Sequence, residues 1–117
     1  MGKTINLVRG TTNTFDIALR DEKGAFYALG SDEILRFGVK KTTAASAYKL
    51  VKELTAADLS STGDAYVLIL HPEDTENLES GDYVYDIGMQ SGADYYNVVP
   101  CSDFILHPNI TGREVLT

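Results

Sequence analysis

The chain has 117 residues, 44% of them apolar and 23% charged, a composition that suits one globular domain with a buried core and excludes a disordered tail. Seventeen acidic residues against ten basic ones leave a formal charge of -7, a field that repels phosphate backbones and anionic membrane surfaces, so neither nucleic acid nor membrane is expected as a partner. The single cysteine, Cys101, excludes an intrachain disulfide and a thiolate metal cluster.

The opening Met1-Gly2-Lys3-Thr4-Ile5-Asn6 turns polar at once, unlike a signal peptide. No apolar run approaches the roughly 18 residues of a membrane span. Ile5 and Leu7 then begin a pattern in which apolar and polar residues alternate with period two, the mark of a half-buried strand. Phe15, Ile17 and Leu19 alternate with Thr14, Asp16 and Ala18, and Arg20-Asp21-Glu22-Lys23-Gly24 supplies a turn. Leu35, Phe37 and Val39 alternate with Arg36, Gly38 and Lys40, predicting a third strand with one face on a core.

Residues 48–54 read as a short strand near a sheet edge, where lysines discourage mispairing, and 54–59 read as loop. The nearly continuous apolar run 65–70, with Tyr66, Leu68 and Leu70 on one face, predicts a central strand. Pro72 followed by Glu73 and Asp74 predicts one helical turn, because acidic side chains suit the positive end of a helix dipole. Tyr83, Tyr85, Ile87 and Met89 alternate with Val84, Asp86, Gly88 and Gln90 as a strong strand, and Ser91-Gly92-Ala93-Asp94 makes a hairpin turn. The return strand runs through Tyr95-Tyr96-Asn97-Val98-Val99. Pro100, which has no N–H to donate, marks its edge, a bulge or its end, and Phe104-Ile105-Leu106 is a candidate continuation. About seven or eight short strands without βαβ spacing define an all-β fold, an antiparallel two-sheet sandwich, with a closed barrel as the alternative. One domain is expected over 1–111, followed by a short C-terminal tail, 112–117.

Side chains capable of chemistry are scattered. His71 and His107 each precede a proline and have no second histidine or cysteine at ligand spacing, so turn chemistry is the better reading. Asp82, Asp86 and Asp94 bracket the strong hairpin. They lack the alternating donors of a calcium loop, and with Glu79 they lack the placement of a glycosidase pair. Cys101 reads as a small half-buried hydrophobe. No catalytic residue, metal site or cofactor is therefore expected. Among the seven tyrosines, Tyr66, Tyr83 and Tyr85 fall on inward faces, which leaves Tyr95 and Tyr96 as candidate binding residues for a sugar.

The segment Asp74-Thr75-Glu76-Asn77-Leu78-Glu79-Ser80-Gly81-Asp82-Tyr83-Val84-Tyr85-Asp86-Ile87 reads as a tyrosine-corner-like turn from Asp74 to Tyr83, in which Tyr83 bonds back to upstream backbone. It resembles the D-T-x-x-L-x-x-G-x-Y-x-Y-D-I pattern of immunoglobulin-like domains in phage structural proteins, notably the amino-terminal domain of baseplate upper proteins. Arg9-Gly10-Thr11-Thr12 is similar to the R-G-D-T opening of those domains, with Thr11 where aspartate is common. Asp21-Glu22-Lys23-Gly24 is similar to their D-x-x-G hairpin, and Leu35-Arg36-Phe37-Gly38-Val39-Lys40 to their third strand. The resemblance implies an immunoglobulin-like β-sandwich and a non-enzymatic structural module of a bacteriophage or prophage particle, in a baseplate, tail, fibre or head decoration. It implies a virion component made in the bacterial cytoplasm. The implied partners are copies of itself and other phage structural proteins, and a host-surface or glycan-binding adhesion module is the second expectation. The chain stops soon after Asn109-Ile110-Thr111, so such a module is expected to act through its own surface.

Overall fold

The computed structural model describes residues 3–110. Among these residues seven strands are formed: β1 (Ile5–Val8), β2 (Asn13–Ile17), β3 (Glu33–Lys40), β4 (Leu50–Leu54), β5 (Tyr66–Leu70), β6 (Gly81–Ser91) and β7 (Asp94–His107). One short helix, α1 (Pro72–Thr75), stands between β5 and β6, with Pro at its first position and Glu73 and Asp74 in its first turn. The fold is all-β. No helix among the described residues is long and apolar enough to cross a membrane. The tail predicted over 112–117 lies outside the described residues.

The strands form a five-stranded sheet in the order β1-β7-β6-β3-β4 and a two-stranded sheet of β2 and β5. The alternation read in the sequence maps directly onto the core. Leu35, Phe37 and Val39 of β3 and Tyr83, Tyr85 and Ile87 of β6 are buried, and both sheets contribute to the same apolar cluster. Four aromatic rings meet inside it, with Phe104 lying 6.1 Å from Phe37 and 6.4 Å from each of Tyr83 and Tyr85. Offset and edge-on ring pairs of this kind are attractive beyond the area they bury.

Four expectations are corrected. The large sheet is mixed, because β1 runs parallel to β7 with Ile5 opposite Phe104; side-chain periodicity is the same for either strand direction. β5 is not central: among the described strands it pairs only with β2, and its apolar character serves one buried face, Tyr66, Leu68 and Leu70, while Ile69 is 40% exposed. Residues 56–58 form a 3-10 turn where loop was expected. The Thr55 side chain accepts from the Ala57 N–H and the Asp58 carboxylate accepts from the Thr55 N–H, a reciprocal cap that starts a helix. Cys101 is exposed rather than half-buried.

The reason for the last correction lies in β7. The pairing runs Tyr85 to Ser102, then Ile87 to Val99, then Gly88 to Asn97, so β7 carries an extra residue at two successive points. Pro100 and Cys101 sit opposite Asp86 at the first bulge, the position proline tolerates because no ladder bond is asked of it. β7 nevertheless continues unbroken to His107, with Phe104 and Leu106 buried.

Candidate functional site

The hairpin joining β6 and β7 forms one wall of a cleft of about 650 Å3. The facing wall is built by the chain between β2 and β3. Arg20 bridges Phe26, the Tyr27 N–H donates to the Leu19 carbonyl, and the Asp21 carboxylate accepts from the Lys23 and Ala25 N–H groups. This loop is anchored from below by Tyr66, whose ring stacks on Phe26 at 5.8 Å and whose hydroxyl oxygen accepts the Leu29 N–H at 2.6 Å. Tyr27 and Arg20 are thereby fixed at the cleft.

Glu33, the first residue of β3, lines the cleft at only 8% exposure. A buried carboxylate is costly unless it is hydrogen-bonded, and this one accepts three bonds. Tyr27 Oη donates at 2.6 Å and Ser91 Oγ at 2.8 Å, both to Oε2, and the Gly30 N–H donates to Oε1 at 2.8 Å. The hydrogen bond from Tyr27, then those from Gly30 and Ser91, hold the Glu33 carboxyl below its ordinary value of 4.5. The same bond raises the Tyr27 phenol above 10.0. One charge therefore ties three separate stretches of chain together.

A pH dependence follows from these directions. Because the folded pKa of Glu33 lies below its unfolded value, the stabilisation is present above about pH 4.5 and is lost as pH falls through the folded value. Glu33→Gln is expected to flatten the acid limb of a stability profile measured by urea unfolding between roughly pH 5 and pH 3. An acid limb as steep as that of the unaltered protein counts against Glu33 as a source of it.

The two candidate binding residues do not form one surface, because adjacent strand residues point to opposite faces. Tyr96 stands opposite Met89 and lines the cleft, and the residue is 52% exposed. Tyr95 stands opposite Gln90 and lies across β6 on the other face. A β-carbon on Gly88 would fall 1.8 Å from its hydroxyl oxygen, so only glycine admits the ring there. Burial, and then the Asp86 charge, raise the Tyr95 phenol. The other residues capable of chemistry are dispersed: the Asp74 carboxylate accepts the His71 N–H at 2.7 Å and pairs with Lys52 at 2.9 Å, while the His107 ring meets the Asn6 side chain at 3.1 Å.

Tyr27, Arg20 and Glu33 are site residues not singled out from the sequence. For Glu33 the signal exists, since the inward positions Leu35, Phe37 and Val39 extend back two residues to 33. Compared with protein-family models and with curated protein sequences, the chain matches none.

Proposed function

We propose that the protein is a non-enzymatic assembly module of a bacteriophage or prophage particle, an immunoglobulin-like domain that acts through protein–protein contacts with copies of itself and with other particle proteins. The carrying observation is that two of the segments that carry the resemblance, far apart in sequence, are bonded to each other. Arg9 Nη1 donates to the carbonyls of Glu76 at 2.7 Å and Leu78 at 3.2 Å, and the Gly10 N–H donates to Thr75 Oγ1 at 2.8 Å. The R-G turn and the D-T-x-x-L loop are thus one structural unit, which is how a shared fold would keep both.

The strand order adds support. In immunoglobulin-like domains the third, sixth and seventh strands share one sheet and the second and fifth lie in the other, the partition made here by β3, β6 and β7 against β2 and β5. Tyr83 Oη donates to the Glu79 carbonyl at 2.7 Å, the bond of a tyrosine corner.

The test is association. Light scattering on the purified protein is expected to give an oligomeric mass, or mass spectrometry of purified particles from the producing bacterium is expected to find the chain. A strictly monomeric protein absent from particles leaves it no assembly role.

A further inference from the structure

We propose that the cleft between Tyr27 and Tyr96 is a binding site for a neutral pyranose saccharide, a function beyond assembly. Its volume, about 650 Å3, falls within the roughly 300–1,000 Å3 typical of small-ligand sites. Two tyrosines from different parts of the chain line it together with the apolar side chains of Met89 and Val98. Flat rings and aliphatic patches suit the C–H faces of a sugar ring, which present apolar area without charge.

The site is also held in shape before any ligand arrives. The bond from Tyr27 Oη to Glu33 fixes the inner ring, and the bond from Ser91 Oγ to the same carboxylate fixes the hairpin that carries Tyr96. Groups already ordered cost less to engage, and a rigid first layer on supported elements is what precise binding requires.

Charge selects among ligands. Three lining carboxylates, Asp21, Glu22 and Glu33, face one cation, Arg20, so an anionic sugar is disfavoured. A cation is a poor match as well, because Glu33 already serves three donors and Asp21 Oδ1 accepts two backbone N–H groups. What remains is a mixture of one donor and one acceptor, the Arg20 guanidinium and the Glu22 carboxylate, since the Asn97 amide donates to Asp86 at 3.2 Å on the other face. Such a mixture matches hydroxyl groups, each of which both donates and accepts.

The experiment is a two-dimensional amide NMR titration of the whole chain with cellotriose, maltotriose, N-acetylated chitotriose and lactose. 3′-Sialyllactose serves as the anionic arm and trilysine as the cationic arm. At least one neutral sugar is expected to shift the amides of Tyr27, Tyr96 and Asn97. Tyr96→Ala and Arg20→Ala, both at exposed positions, are expected to weaken that binding at least tenfold with amide dispersion retained. Tyr95→Ala, on the opposite face, is expected to leave it unchanged. No response to any neutral sugar at millimolar concentration, shifts confined to the Tyr95 face, or a response to trilysine or 3′-sialyllactose alone each overturns the proposal. None of these outcomes alters the mass or particle measurements that test the assembly reading, so the two fail separately.

Discussion

Phe104→Ala is expected to cost about 3–5 kcal/mol, the range for truncating a buried phenylalanine. Phe104 is 0% exposed and touches three other rings, so little can move in to fill the space. It is also where three strands meet, since it stands opposite Ile5 of β1 and Tyr83 of β6. Single domains are stable by only about 5–15 kcal/mol, so this one change removes a large share of the total. For a chain of this length the midpoint of thermal unfolding is expected to fall by about 12–20 °C. Calorimetry or thermal circular dichroism reads it directly, and a fall under 5 °C would mean that the ring cluster does not carry the core.

The second large effect is expected from Thr75→Val, which preserves shape and deletes one oxygen. Thr75 is 0% exposed and its hydroxyl is the acceptor for the Gly10 N–H, where the chain turns with φ +76°. Valine leaves that N–H facing a methyl group inside the fold, at a cost of about 1–3 kcal/mol. Thr75→Ser keeps the acceptor, loses only one methyl and is expected to cost about 1 kcal/mol. The comparison separates hydrogen bonding from packing, and serine costing as much as valine would assign the site to packing. Arg9→Ala acts on the same turn through Glu76 and Leu78, so combined with Thr75→Val it is expected to cost less than the sum.

Much of the fold was legible because burial on one face imposes a period of two. The inward positions of Tyr66, Tyr83 and Tyr85 follow from that rule, the hairpin at 91–94 from its glycine-bearing turn, and the special role of Pro100 from proline's missing N–H. Pairing was not legible in the same way. Which strand lies beside β1, in which direction, and why β5 stands with β2 alone depend on contacts between residues far apart in the chain, to which alternation is blind. The candidate site divides along the same line. Tyr96 could be identified as an exposed ring from its own strand, whereas its partner across the cleft, Tyr27, comes from a loop whose position depends on Tyr66. Tyr95 and Tyr96 are neighbours in sequence yet serve different surfaces, because a strand separates adjacent residues more completely than it separates alternate ones.

The two irregularities in β7 act together as a parity device. Six residues separate Tyr83 from Met89 along β6, while eight separate their opposite numbers, Phe104 and Tyr96, along β7. Two insertions preserve even count, so the ring at 96 stays on the side of the sheet that Phe104 occupies; a single insertion would have delivered its neighbour at 95 instead. Which aromatic the hairpin tip presents to each side is therefore decided several residues away, by arithmetic in the stretch from 98 to 101. Loss of one residue there would exchange the two surfaces of the hairpin without changing a side chain on either.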